Sequence, residues 1–370
     1  MDSGPVRFAR YTRHGRWMDP AGLPGLASVI IPTYNRGPLL DQALASVLGQ
    51  TYRPIEILVV DDGSTDDTPA VLGRWQDKLR GDAAISFRTF RQANSGPSAA
   101  LNLGLIESTG EFIQFLDSDD MLFPEKLRLQ IACLKRHPET GLAFSKSVKL
   151  VGGQRVRPPS VETAVVVESA DYYCQNDILR MQAVYRRQTC RDAGPWSEDL
   201  KLSEDREYSF RALLVNDRIV HLRGKLSGRR IHSTGQLMDI YCQPVGLRIR
   251  LRGLKMMTDL ARSENCLGNR KLMGLFAHRY TVLARDAMIR GDWEIMIAAA
   301  RSGKSLPIPL PHRLILSAFE LFSRGFIGRL WGVGAPVANP RRGLLRTGKA
   351  RMVSRTLGQR RSGNDGIFSE

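Results

Sequence analysis

From Ala27 to Ser145, short runs of β-branched and aromatic residues alternate with stretches whose apolar residues recur at helical spacing. This rhythm restricts the chain to a mostly parallel central sheet covered by helices. Ser28–Ile31, Ile55–Val60, Ile85–Phe90, Phe112–Leu116 and Leu142–Ser145 read as strands. Between the first two, Leu39, Leu40, Ala43, Leu44, Val47 and Leu48 make the apolar face of a helix, and Thr68–Leu79 and Ser98–Ile106 fit the same role. Pro32, Gly63 and Asp117 each follow the carboxyl end of a strand. In open α/β sheets that edge holds the ligand.

The 370 residues exceed one typical domain of roughly 100–200 residues. Residues 1–26 form a basic N-terminal extension, and 27–240 the α/β domain. Its second half, 151–240, is mixed and loop-rich, broken by Gly152-Gly153, Pro158-Pro159 and Gly194-Pro195. Beyond Gln243-Pro244 the pattern turns to helices over Leu247–Leu260, Arg270–Arg290 and Trp293–Ala300. One more carries the stripe Leu314, Ile315, Ala318, Leu321 and Phe322, which completes a helical C-terminal region over 241–337. Residues 338–370 read as a basic, flexible tail.

The formal charge of +17 implies attraction to phosphate-rich partners; basic residues crowd both ends, while Ala27 to about Ala143 is far more balanced. Arg7, Arg10, Arg13 and Arg16 crowd the start, and eight Lys and Arg residues from Arg341 to Arg361 follow one another without an acid. Five scattered cysteines (Cys133, Cys174, Cys190, Cys242 and Cys266) argue against a zinc ribbon or a disulfide framework. No basic stretch followed by an apolar run marks a secretory signal, so the expected setting is cytoplasmic. The best candidate for a membrane span, Leu314 to Val337, is interrupted by Glu320, Arg324 and Arg329.

Three strand ends carry the chemistry. Ser28-Val-Ile-Ile-Pro-Thr-Tyr-Asn-Arg36 presents Tyr34, which either stacks on a base or packs as a core aromatic. Val59-Val-Asp-Asp-Gly-Ser-Thr-Asp66 ends in two carboxylates. Asp62 suits hydrogen bonding to a base or ribose, or a helix cap; Asp61 suits a turn as well as a ligand contact. Phe115-Leu-Asp-Ser-Asp-Asp120 sets three carboxylates within four residues. That arrangement calls for a hard cation such as Mg²⁺ or Mn²⁺, with Asp120 also placed to cap the helix starting near Pro124.

These three segments, with Asn94-Ser-Gly-Pro-Ser-Ala-Ala-Leu-Asn-Leu-Gly104 and Gly110-Glu-Phe-Ile, resemble the inverting glycosyltransferases of family 2 in the same order, from about Ala27 to Gly235. The resemblance implies a GT-A fold (Rossmann-like, with a C-terminal helical extension), a nucleotide-sugar half over 27–150 and an acceptor half over 151–240. It implies nucleotide contacts at Pro32, Tyr34 and Asp62, with Asp117 toward the ribose or sugar. Asp119 would hold Mn²⁺ or Mg²⁺ bridging the donor diphosphate. Asp205 of Ser203-Glu-Asp205 would be the general base, although such pairs also form surface ion pairs, here with Arg206 or Arg211. In Arg229-Arg-Ile-His-Ser-Thr-Gly-Gln236, His232 would assist the metal or diphosphate, and Arg229 or Arg230 would neutralise phosphate. Where relatives often carry Arg before the Asn of this motif, the chain has Leu101, and that role is lost or moved to Arg91.

The implied activity is hexosyltransferase-like: a sugar passes from a nucleoside-diphosphate donor, UDP-linked by family habit, to a hydroxyl of a saccharide or lipid-linked acceptor. Cell-surface polysaccharide or glycolipid synthesis would be its setting. The C-terminal helix and basic tail add peripheral attachment to an anionic membrane surface, at its inner face. The alternatives are a nucleic-acid-binding protein that uses its basic termini, and a nucleotide-sugar-binding protein without catalysis. Against nucleic acid stand the acidic strand ends and the lack of a recognisable nucleic-acid motif.

Overall fold

The computed structural model describes residues 17–19, 21–151, 163–168, 178–200, 203–216, 218–231 and 243–323. Strands β1 (Leu23–Thr33), β2 (Ile55–Asp61), β3 (Ile85–Arg91) and β4 (Gly110–Phe115) pair in parallel in the order β3-β2-β1-β4. Helices α1 (Gly37–Leu48), α2 (Thr68–Lys78) and α3 (Pro97–Glu107) make the crossovers, as the rhythm of the sequence requires. Because these strands are parallel, Thr33, Asp61 and Phe115 all end on one edge of the sheet.

Beyond β4 the sheet becomes mixed. Strand β8 (Ala183–Arg186) runs antiparallel to β4, β6 (Leu142–Val151) antiparallel to β8, and β9 (Arg218–Ile231) parallel to β6. The short β5 (Met121–Leu122) and β7 (Thr163–Glu168) pair antiparallel to β9. Strands β6 and β9 therefore run toward the same edge as β1, β2 and β4. Strand β8 starts there, which places the 3₁₀ turn Arg180–Gln182 just before it at that edge.

Each face of the sheet has its own core, set by the alternation of side chains along the strands. Val29, Ile31, Ile57, Val59 and Phe112 pack with α1, α2 and α4 (Lys126–Arg136). On α1, Leu40, Ala43, Leu44 and Val47 are the buried residues facing them, at the spacing of one helical stripe. Ile30, Leu58, Ile113 and Phe115 point the other way, onto α3, α5 (Arg187–Ala193) and α6 (Glu204–Leu214). Gly104 lets α3 approach closely: a Cβ there would overlap Ile30 Cγ2.

The C-terminal helices α7 (Pro244–Ser263), α8 (Arg270–Ile289), α9 (Trp293–Lys304) and α10 (Leu310–Ser323) join this second core. Leu247, Leu251, Phe276, Tyr280, Met296 and Leu316 are buried in it, and Phe276 meets Phe210 of α6 edge-on at 5.7 Å. One face of α10 stays open, with Leu310 67%, Leu314 63%, Ile315 45% and Leu321 50% exposed. No helix among the described residues is long and apolar enough to cross a membrane.

Candidate active site

At the carboxyl edge of β1 and β2, three loops are tied together by short polar residues. Asn35, in the left-handed region with φ 51°, donates its backbone N–H to Ser64 Oγ (2.9 Å) and accepts Thr65 N–H on Oδ1 (2.7 Å). Asn tolerates that conformation better than bulkier residues. Asp61 accepts Ser64 N–H (2.8 Å) and pairs with Arg91 (2.6 Å), whose other nitrogen donates to the Ser64 carbonyl (2.8 Å). Arg91 therefore serves the turn after β2, while Leu101 is a buried core residue.

Asp62, only 4% exposed, binds the loop that leads into α3. Its Oδ1 accepts Gln92 Nε2 (2.7 Å) and Ser95 N–H (2.8 Å), and its Oδ2 accepts Gly96 N–H (2.8 Å). Gly63 follows at φ 83°, and a Cβ there would crowd Asn94 N at 3.1 Å, so this close passage of two loops favours glycine. Gln92 Oε1 is buried without a hydrogen-bond partner among the described residues. Tyr34 stands 45% exposed at the tip of β1. An exposed planar ring and buried acceptors at the same sheet edge suit a base whose own edge carries N–H donors.

After β4 the three acids separate. Asp120, 4% exposed, accepts Arg230 N–H on Oδ1 (3.0 Å), while Arg230 Nη1 donates to the Asp119 carbonyl (3.1 Å). Burial, then the negative charges of Asp117 and Asp119, push Asp120 well above its ordinary value. The Asp119 carboxylate is 25% exposed and lies 4.0 Å from Arg36. Asp117 is pushed up to about 6, first by withdrawal from bulk water and then by Asp119 and Asp205; Arg180 and Arg229 pull the other way.

The described residues contain no group of three side chains able to cage a metal ion. Mg²⁺ and Mn²⁺ sites at phosphates need fewer, because one or two carboxylates and the phosphate oxygens complete the shell. Asp119 suits that role by its hard oxygens and its partial exposure. His232 lies outside the described residues.

The least anticipated feature is Arg180. It is 5% exposed, and Nη2 donates to both Glu204 Oε1 and Asp205 Oδ1 at 2.7 Å, while Nε lies 3.4 Å from Asp117 Oδ1. Beneath it the Trp196 ring sits 5.4 Å away and stacks on Tyr208, with centroids 3.9 Å apart and planes 1° apart. Asn102 fixes that tryptophan: its Nδ2 donates to the Trp196 carbonyl (3.0 Å), and its Oδ1 accepts Trp196 N–H (2.7 Å).

Burial disfavours the charge on Arg180, yet Asp117, Asp205 and Glu204 raise its pKa and hold it protonated. Glu204 is pushed up to about 7 by burial first and Asp205 second. Arg211, one alternative partner for Asp205, pairs with Glu207 at 2.6 Å. Sequence reasoning missed Arg180 because an Arg ahead of a short strand carries no motif.

Asp205 and Asp117, 88 positions apart in sequence, thus meet on one guanidinium at the same sheet edge. Residues 28–179 match the model of glycosyl transferase family 2. Over that stretch the chain is similar to this family. The match ends just before Arg180, so Glu204, Asp205, Arg229 and Arg230 lie beyond it.

An uncharacterized glycosyltransferase of Rickettsia felis is 42% identical over 118 residues, covering 32% of this chain and 18% of that one. The GalNAc(5)-diNAcBac-PP-undecaprenol beta-1,3-glucosyltransferase of Campylobacter jejuni is 41% identical over 95 residues, covering 26% of this chain and 30% of that one. These alignments therefore span under a third of either relative. Among solved structures, residues 1–349 of TarS from S. aureus superpose with a TM-score of 0.58 at 21% identity, covering 84% of this chain and 92% of that one. The mannosyltransferase PcManGT of Pyrobaculum calidifontis, solved with GDP-Man and Mn²⁺, gives a TM-score of 0.50 at 18% identity, covering 89% and 85%. At these identities the likeness establishes the GT-A fold alone.

Proposed function

We propose that the glycosyltransferase moves a sugar with inversion from a uridine-diphosphate donor to a hydroxyl of a saccharide or lipid-linked acceptor. The observation that carries this reading is the placement of a donor-side carboxylate, Asp117, and a helix-borne carboxylate, Asp205, on one arginine at the ligand-binding edge. Tyr34 and Pro32 offer the base a platform, and Asp62 with Gln92 offers acceptors for its edge. Asp117 faces the ribose or sugar, and Arg229 and Arg230 neutralise the departing diphosphate.

Asp205 takes the acceptor's hydroxyl proton as that oxygen attacks the anomeric carbon and the bond to the diphosphate breaks. The first turn of α6 supports a carboxylate there through the positive end of the helix dipole. A divalent ion held by Asp119, and by His232 if it reaches, would supply charge stabilisation to the leaving group.

The uridine assignment draws on TarS, which has been solved with UDP-GlcNAc at a TM-score of 0.52. The lipid-linked acceptor draws on the undecaprenol-linked substrate in the name of the Campylobacter enzyme. Polysaccharide or glycolipid synthesis at the inner face of the membrane follows from that acceptor. The open face of α10, with the basic run from Arg341 to Arg361, would hold the enzyme to an anionic lipid surface.

Nucleotide release from UDP-sugars with Mn²⁺ and with EDTA tests the donor and the metal together. Full turnover after thorough metal removal would sink the role of Asp119. Asp205→Asn should keep UDP affinity and lose transfer; an active variant would move the base elsewhere.

A further inference from the structure

We infer that Arg180 is the positioning residue of the reaction: it locks Asp205 through Oδ1, so that Oδ2 alone takes the acceptor's proton, and fixes that oxygen relative to the donor carboxylate Asp117. This rests on the transferase reading above and specifies how its base is presented. One Nη2 bridges Glu204 and Asp205, and Nε of the same rigid plane lies 3.4 Å from Asp117 Oδ1, an ion-pair contact without a hydrogen bond. The planar guanidinium sets the spacing of its partners in a way that a flexible ammonium does not.

The arginine is itself held from behind. The turn that carries it closes when Gln182 N–H donates to the Leu179 carbonyl (2.9 Å) and Leu179 N–H donates to Gln182 Oε1 (3.0 Å). The Gln182 carbonyl then accepts Gln130 Nε2 (2.9 Å) and the buried Lys126 Nζ (3.2 Å), both on α4. Trp196 closes the remaining side. With its turn pinned, its Nη2 shared by two carboxylates and Trp196 against it, the buried cation has few rotamers open to it.

The proton balance agrees with this role. The acceptor hydroxyl gives its proton to Asp205 Oδ2, and its oxygen bonds to the anomeric carbon. The electron pair of the broken bond leaves on the diphosphate. Asp205 becomes neutral, yet Arg180 keeps Asp117 and Glu204 as counter-charges, so no buried cation is stranded in the step.

The test is a kinetic cycle on the full chain with Arg180→Lys, Arg180→Met, Asp205→Asn and the double variants, using the UDP-sugar that wild type turns over. Arg180→Met should lower kcat by about 100-fold or more while UDP affinity and donor KM stay within about threefold. Arg180→Lys should recover at least about tenfold of that loss. Adding Arg180→Met or Arg180→Lys to Asp205→Asn should lower kcat no further, since the base it positions is already gone. Losses that multiply, or an Arg180→Met enzyme with wild-type kcat, overturn the inference; should Arg180→Met fail to fold, the Arg180→Lys cycle decides alone. A wild type that binds UDP but turns over no UDP-sugar sinks the transferase reading itself, whereas an active wild type with multiplying losses sinks only the role of Arg180.

Discussion

Replacing Asp62 by Asn separates its service to the fold from its proposed service to the nucleotide. The carboxylate accepts three donors, two on Oδ1 and one on Oδ2. An Asn oxygen can keep the two, but its NH₂ then confronts Gly96 N–H. That exchange removes one charge-assisted hydrogen bond and leaves a buried donor unmatched, for roughly 1.5–3 kcal/mol. The two retained bonds weaken as the acceptor loses its charge. The expected loss is about 3 kcal/mol, read as a lower urea midpoint at unchanged slope.

Asp62→Ala orphans all three donors and should lose more, while Gln92→Ala removes only one side-chain donor and should lose less. UDP affinity measured at a temperature where each variant is folded reports the second service. An Asp62→Asn protein within about 0.5 kcal/mol of wild type would refute the reasoning, since experimental scatter alone spans that range.

Two further outcomes follow from the same packing. Glu204 stands at about 7 in the folded protein against an ordinary 4.5, so between those values the native state holds more protons than the unfolded chain and stability falls as pH rises. Glu204→Gln should flatten the decline of the thermal midpoint from about pH 5 to about pH 7, and an unchanged slope would remove Glu204 as its source. Gly104→Ala forces a methyl group onto Ile30 and should cost about 1–3 kcal/mol in denaturant unfolding. A neutral Gly104→Ala would mean that α3 can back away from β1.

The parallel half of the fold was legible because its strands are short runs rich in β-branched and aromatic residues that alternate with helical stretches. Strand ends at Thr33, Asp61 and Phe115 then placed Tyr34, Asp62 and Asp117 on one edge without any need for side-chain geometry. The second half was opaque for a physical reason. Strand β9 is fourteen residues long but carries Arg223, Lys225, Arg229 and Arg230, so its polar spacing hides its pairing with β5, β6 and β7. The place of Asp62 at the end of a strand was legible, but not its anchoring of the loop 92–96, because its donors lie about thirty residues away. Arg180 could have been flagged only by asking what neutralises Asp117, Glu204 and Asp205 once the fold gathers them.

The edge-on contact of Phe276 with Phe210 bears on how such enzymes can be rebuilt. Phe210 lies on the same helix as Asp205, so the C-terminal helices brace the element that carries the proposed base. A chimera that exchanges residues 243–323 to change acceptor choice would also replace the support under Asp205. Grafts should therefore keep Phe210 and Phe276 together as one inherited unit, and vary only the outward faces of the appended helices.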